Sequence, residues 1–198
     1  TIKINIKPNI MKLPTLTTLL ILFSSSVFTQ NKFVEPFLPQ IFSQFPNVRD
    51  IAISSEGDEI YFSVQSYTDE ASLIVTAKKE NSVWSVPEIA IFSGKFFDIE
   101  PFLSQDGLTL FFASNRPVAN TGNNVKDFDI WYVQRENKNS EWSAPINIGP
   151  PINSKNNEFY PSIAENKNLY CTSDAPPSEG KDNIFISRWD NGKYLPPV

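Results

Sequence analysis

One unit of sequence recurs three times along this chain. Residues 49–63, 99–113 and 160–172 align with one another, each as an apolar segment, a polar turn and a second apolar segment. The turns of the first two copies carry Gly57 and Gly107, which lie about 50 positions apart, and the third copy has one residue fewer in its turn. A repeat of about 50 residues is typical of solenoids, propellers and other stacked arrays.

Each copy continues beyond this pair with two further segments. The third segment is apolar, at residues 73–76, 130–133 and 184–187, and the fourth begins with an aromatic residue that is followed three positions later by proline. Aromatic residues make up 13% of the chain, a composition that favours strands. In the second copy, residues 108–113 are apolar on both faces of the predicted strand, as expected for a sheet buried between two others. We therefore predict an all-β fold, a β-propeller fragment of about three four-stranded antiparallel blades.

These patterns divide the chain into four parts. Residues 1–10 precede Met11 and are interpreted as an upstream, non-native extension. Residues 11–30 are predicted to be a signal peptide, residues 31–46 a lead-in segment and residues 47–198 a partial propeller, with blades at about 47–97, 98–157 and 158–198. Propellers usually close with about four to eight blades, so we expect a longer ring and exposed apolar faces on the end blades.

The predicted signal peptide rests on Lys12, the apolar residues 19–23 and the small residues 24–26. Cleavage is expected after Thr29 or Gln30. The alternative is a retained membrane anchor, but the apolar stretch is short for a membrane span. We expect no stable span after cleavage and a periplasmic or secreted protein.

Composition excludes several classes of function. The net charge is −5 and the basic residues are scattered, so the sequence has no basic surface for nucleic acid. The chain has no histidine, which excludes Ser-His-Asp and Cys-His catalysis and imidazole zinc sites within it. Cys171 lies in an apolar run and is expected to be buried. We predict no metal site, no cofactor and no catalytic residue.

Acidic residues recur at the start of the first segment of each unit: Asp50, Asp98, Glu100 and Glu158. The first strand of a propeller blade lines the central channel, so these side chains are candidates to bind a cation or polar ligand at its mouth. The alternative is that they cap turns and solvate the rim. The aromatic residues that start the fourth segments, Trp84, Trp142 and Tyr194, either pack between blades or provide stacking surfaces for sugars.

Three motifs of the second copy resemble a known family. Residues 101–107, 110–116 and 129–131 are similar to the WD40-like propeller repeats of the TolB type, although Gln105 replaces that family's proline in the turn. The similarity extends over about residues 47–198. It implies a periplasmic or secreted propeller that mostly binds other proteins or material associated with the cell wall, and it does not imply catalysis.

The leading hypothesis is an exported, non-catalytic β-propeller that binds a protein or an envelope glycan, or serves as a scaffold. One alternative is a glycoside hydrolase or sialidase-like propeller, which needs two carboxylates in one pocket. The other is the propeller half of a serine peptidase whose catalytic domain lies outside this sequence.

Overall fold

The three repeated units form three antiparallel sheets that follow one another along the chain. The computed structural model describes residues 34–118, 126–176 and 182–198. The expectations for residues 1–10 and 11–30, including the cleavage site, lie outside the described residues. Residues Phe37–Val198 belong to one compact unit. Among the described residues, no helix has the length and apolar character needed to cross a membrane.

The first sheet has the order β1-β2-β3-β4, with β5 also paired to β3. A short helix, α1 (Pro39–Phe42), precedes it. The strands of this sheet are β1 (Asn47–Ile53), β2 (Glu59–Gln65), β3 (Ser72–Glu80), β4 (Val83–Trp84) and β5 (Glu88–Ile89).

The second sheet has the order β6-β7-β8-β9, and the third has the order β10-β11-β12. The second contains β6 (Asp98–Leu103), β7 (Thr109–Ser114), β8 (Asp129–Gln134) and β9 (Ile146–Asn147). The third contains β10 (Glu158–Ile163), β11 (Leu169–Ser173) and β12 (Asn183–Ser187), and a separate hairpin of β13 (Trp189–Asp190) and β14 (Lys193–Tyr194) follows. Near the C-terminus, Val198 pairs through both backbone groups with Ile186 of β12.

The core lies between successive sheets. Leu110 and Phe112 of β7 face the first sheet, while Phe111 and Ala113 of the same strand face the third. All four are buried. The alternation of side chains along a strand sends neighbouring residues to opposite faces, so the four consecutive apolar residues of β7 need a partner on each side. The prediction of a sheet buried on both faces is confirmed for the second sheet.

The predicted turns have a common hydrogen-bonding pattern. Gly57 and Gly107 have φ values of 70° and 72°, a region that glycine adopts without steric cost. In the second turn the Ser104 hydroxyl accepts a hydrogen bond from the Thr109 backbone N–H at 2.9 Å. Lys167 takes the left-handed position of the third turn with φ of 67°, and that turn is one residue shorter in the register of β10 and β11.

The aromatic residues of the fourth segments do not begin the outermost strands, which corrects the sequence interpretation. Trp84 lies in β4, which forms a hairpin with the end of β3, and the outer strand is β5. Tyr194 lies in β14 and pairs with Trp189. The third strand of a unit can continue beyond its apolar run. In the first sheet it extends further, through Glu80, and leaves room for a hairpin before the outer strand.

The lead-in segment packs against the first sheet on the face away from the second. Ile41 is buried there with Ile60, Phe62 and Val75, and Phe42 meets Phe62 edge to face at 5.0 Å between ring centroids. The expectation that both end sheets expose an apolar face is therefore wrong for the first sheet. The third sheet does expose Ile184, which is 76% accessible.

Shortening Ile41 to valine should lower the free energy of unfolding by about 1 kcal/mol, because one methylene is lost from a filled site. Urea unfolding followed by tryptophan fluorescence measures this change. The matched control is Ile53→Val, since Ile53 is 46% exposed and its shortening should change stability by less than about 0.5 kcal/mol. Equal effects at the two positions would contradict the packing of the lead-in segment on the first sheet.

Candidate functional site

The first strand of every sheet contains a β-bulge at the same repeat position. The register shifts between Arg49 and Ala52 in β1, with matching shifts in β6 and β10. At each bulge one residue other than glycine has a left-handed backbone: Asp50, Glu100 and Tyr160, with φ values of 53°, 59° and 50°. Left-handed residues other than glycine are uncommon and cluster at functional sites, and bulges re-aim side chains.

Proline supports this geometry in two of the three sheets. Pro101 and Pro161 directly follow the left-handed residues of β6 and β10. Proline has no N–H to donate, and within a strand it is found at bulges or edges, where a ladder bond is already missing. The bulges therefore follow from the sequence of these strands and place three equivalent side chains in successive sheets.

The three bulge side chains meet around one arginine, and we call Arg49, Asp50, Glu100 and Tyr160 the rim cluster. Arg49 donates from Nε to Oδ2 of Asp50 at 2.5 Å and from Nη2 to the Tyr160 hydroxyl at 2.8 Å. Its Nη2 lies 3.5 Å from Oε1 of Glu100. The backbone N–H of Tyr160 donates to Oε2 of Glu100 at 2.7 Å, which links the second sheet to the third.

Burial differs sharply within the rim cluster. Glu100 is buried, whereas Tyr160 is 49% exposed and Arg49 is partly exposed. Burial raises the pKa of Glu100 to about 7; the N–H of Tyr160 and the charge of Arg49 oppose this rise and the charge of Asp50 adds to it. Burial and the charge of Glu100 also raise the pKa of Tyr160. The rim cluster thus presents a guanidinium and a phenol to solvent above a carboxyl group that titrates near neutrality.

Asp98 and Glu158 lie apart from the rim cluster, inside their own sheets. Asp98 is fully buried, and its carboxylate accepts hydrogen bonds from Ser93, Ser114 and Arg116. Glu158 is buried too, and Ser154 and Ser173 donate to it. Each faces a serine across the first strand pair, where the first sheet has Val48 opposite Val64. The hydrogen bonds of these two acids link neighbouring strands within one sheet. Of the four predicted acids, only Asp50 and Glu100 belong to the rim cluster.

Each of the three predicted stacking residues packs against other side chains of this protein. Trp84 is half-buried, with Nζ of Lys79 5.9 Å from its ring centroid. Trp142 packs between the first two sheets, and Tyr194 packs against Trp189 with 4.8 Å between ring centroids. Burial raises the pKa of Tyr194 to about 12. Trp84 and Trp142 serve the packing role that the sequence left open.

The contact between the first two sheets contains a group of polar residues that the sequence did not single out. We call Glu59, Tyr61, Arg135 and Trp142 the interface clasp. Arg135 donates to both carboxylate oxygens of Glu59, at 3.0 and 2.6 Å, and its guanidinium lies 4.4 Å from the centroid of the Trp142 ring. Tyr61 donates to Glu59 at 2.7 Å and accepts from Nε1 of Trp142 at 2.9 Å. The other units have Lys79 and Trp189 at the position equivalent to Arg135, so repeat alignment did not single this arginine out.

Metal binding and thiol chemistry gain no support from this geometry. Within the residues described, no group of three or more acidic, cysteine or histidine side chains is placed to hold a metal ion. Arg49 occupies the centre of the rim cluster and supplies the positive charge there. Cys171 is buried, and burial raises the pKa of its thiol to about 12.

No protein-family model matches the chain, and no curated protein matches it by sequence. Solved structures do match. A protein described as TolB from Agrobacterium tumefaciens superposes with a TM-score of 0.52 at 15% identity, over 77% of this chain and 49% of that one.

Two larger proteins contain a similar region. A puromycin-hydrolysing peptidase from Mycobacterium tuberculosis gives a TM-score of 0.53 at 13% identity, over 77% of this chain and 22% of that one. The hydrazine synthase of Kuenenia stuttgartiensis gives 0.51 at 12% identity, over 79% and 26%. The chain thus spans about half of the first protein and about a quarter of the other two. At these identities the likeness concerns the fold, and it shows that this chain has a TolB-like, propeller-type fold.

Proposed function

We propose that this chain is part of an exported, non-catalytic β-propeller that binds a protein or an envelope glycan through the rim cluster, in the periplasm or outside the cell. The observation that carries the proposal is the convergence of three bulge residues, one from each sheet, on Arg49. A left-handed residue other than glycine at the same repeat position in all three first strands supports a binding site, because such residues cluster at functional sites.

The exposed part of the rim cluster suits recognition of a polar ligand. Arg49 offers donors at the surface, and Tyr160 adds a half-exposed aromatic ring with a hydroxyl. Arginine and tyrosine are the residue types that most often dominate binding energy at interfaces. Because the Arg49 guanidinium is already oriented by Asp50 and Tyr160, little conformational entropy is lost when a ligand binds.

A glycoside hydrolase with its active site here would need the carboxylates of the rim cluster to reach a glycosidic oxygen. The pKa of Glu100 near 7 would suit a general acid. However, one oxygen of Glu100 accepts from the backbone of Tyr160, the other lies beside Arg49, and the residue is buried. A substrate would have to break these contacts, so the geometry favours binding over hydrolysis.

The similarity to the puromycin-hydrolysing peptidase favours a second candidate, the propeller of a serine peptidase. This chain has no histidine, so a Ser-His-Asp triad would have to come from another part of the polypeptide. Release of arylamide from aminoacyl substrates by the full-length gene product would support this candidate, and a Gly-x-Ser-x-Gly segment in its sequence would identify the nucleophile.

Replacing Arg49 by alanine should weaken binding of the envelope ligand about tenfold or more, because it removes the central donor of the rim cluster. The chain would be immobilised and exposed to periplasmic proteins and, separately, to purified sacculi; the retained partner would be identified and its Kd measured. Arg188→Ala is the matched control, since Arg188 is exposed and lies outside the rim cluster. Equal affinity of the Arg49 and Arg188 variants, or no retained partner in either fraction, would contradict the proposal.

A further inference from the structure

A groove lies between the second sheet and the hairpin that follows the third. Two cross-strand pairs of β7 and β8 form one side: Thr109 opposite Gln134 and Phe111 opposite Tyr132. Paired residues two positions apart share a face, so all four side chains point to the same side of the sheet. Trp189, Lys193 and Tyr194 of the hairpin form the other side, and the open space between the two sides is about 470 Å³. We call these seven residues the aromatic groove.

The repeat provides an internal comparison for this groove. In the first sheet, the positions equivalent to Thr109 and Phe111 are occupied by Glu59 and Tyr61. There the space is filled, because the interface clasp inserts Arg135 and Trp142 of the second sheet against them. The aromatic groove has threonine and phenylalanine in place of the acid and the tyrosine, and none of the described residues that line it is an arginine. The same repeat position is thus closed between the first two sheets and open between the next two.

The polar groups of the aromatic groove lack partners of their own. Over residues 34–118, 126–176 and 182–198, no hydrogen bond or ion pair involves the hydroxyls of Thr109, Tyr132 and Tyr194, the side-chain amide of Gln134 or the ammonium of Lys193. The interface clasp, by contrast, satisfies its polar atoms internally. These five groups face open space beside aromatic rings and are free to bind a ligand, an arrangement in which a few polar groups can fix orientation over apolar surface.

We infer that the aromatic groove binds a glycan chain of neutral or acidic sugars. A sugar ring has an apolar C–H face that packs on aromatic rings, and its hydroxyls both donate and accept hydrogen bonds. Trp189, which is 36% exposed, and Tyr132 offer the rings. Gln134 and the three hydroxyls can donate and accept, which matches sugar hydroxyls better than the prolines of a proline-rich peptide, whose backbone groups only accept.

Charge restricts the class of glycan further. Lys193 is the one charged side chain among the residues that line the groove. A positive charge attracts carboxylated sugars and disfavours amino sugars that carry a free ammonium group. This inference rests on the proposed binding function, and it adds a ligand class and a site that shares no residue with the rim cluster.

The test is a titration of the intact chain with an oligosaccharide array, followed by calorimetry with the best ligand. The array includes chitohexaose, cellohexaose and hexagalacturonate. We expect binding by at least one neutral or acidic oligosaccharide, and about tenfold weaker binding by Trp189→Ala. Tyr132→Phe removes one hydroxyl and Gln134→Ala removes the side-chain amide with one methylene, and each should weaken binding about three- to tenfold. Lys193→Ala should weaken only the carboxylated ligands.

The control is Tyr67→Ala, because Tyr67 is 86% exposed and lies in the turn between β2 and β3, away from the groove. This variant should bind as the unmodified chain does. Absence of binding across the array, binding of a proline-rich peptide in place of sugars, or equal binding by the Trp189 and Tyr67 variants would overturn the inference. Retention of a protein partner through Arg49 without any glycan binding would leave the proposed function standing, whereas loss of both would remove it as well.

Discussion

Replacing Arg135 by methionine should lower the free energy of unfolding by about 3–5 kcal/mol, because the buried Glu59 carboxylate loses its bidentate partner. It then keeps only the Tyr61 hydroxyl and the ammonium of Lys78, whose Nζ lies 3.4 Å from Oε1 of Glu59 and is half exposed. Glu59 and Arg135 are both buried and joined by two hydrogen bonds across the first two sheets. Burial opposes ionisation of Glu59, but the hydrogen bonds from Arg135 and Tyr61 prevail and hold its pKa below the usual value. Without Arg135 that pKa should rise, so the loss of stability should be smaller in acid.

Urea unfolding of the unmodified chain and the Arg135→Met variant measures the effect. The control is Arg188→Met, the same change at an exposed arginine, with an expected effect of less than about 0.5 kcal/mol. The double variant Glu59→Leu with Arg135→Met should regain most of the loss, because two apolar side chains can replace a buried ion pair. A double variant less stable than Arg135→Met would show that the clasp residues have other essential roles.

The strands and turns could be predicted because local sequence determines them. Gly57 and Gly107 mark turns that need a left-handed residue, and the continuous apolar run of β7 indicates a sheet covered on both faces. The packing of the lead-in segment had a local signal as well, since Leu38, Ile41, Phe42 and Phe45 follow helical spacing. The pattern covers too few residues to predict which surface the lead-in segment packs against.

The candidate site was only partly predictable. Four acids recur at nearly equivalent positions of the repeat. In a regular strand, residues two positions apart point to the same face, so the sequence alone predicts that Asp98 and Glu100 share a face. The bulge at Glu100 separates them, and Pro101 was the available signal because proline inside a strand indicates a bulge. The interface clasp had no such signal. Glu59 and Arg135 are far apart in sequence and their pairing depends on how two sheets stack, which one sequence does not reveal.

The Glu100 carboxyl should make the stability of the protein fall as pH rises from 5 to 8. Its pKa is raised from 4.5 to about 7, chiefly by burial. The folded state therefore binds a proton more tightly than the unfolded state. This contribution to stability is fully present below the unfolded pKa and is lost as pH rises through the folded pKa. The difference corresponds to at most about 3 kcal/mol.

Comparison of the unmodified chain with Glu100→Gln isolates this contribution, because glutamine can still accept the N–H of Tyr160 but does not titrate. The two proteins should have similar free energies of unfolding at pH 5, and the variant should be more stable by up to about 3 kcal/mol at pH 8. Glu165→Gln, the same change at an exposed turn position, should alter stability by less than about 0.5 kcal/mol at either pH. A Glu100 variant that is less stable at pH 8 would mean that Arg49 and Tyr160 stabilise the ionised carboxylate more than burial opposes it.

Because deprotonation of Glu100 adds a negative charge beside Arg49, ligand binding at the rim cluster should change over the same pH range.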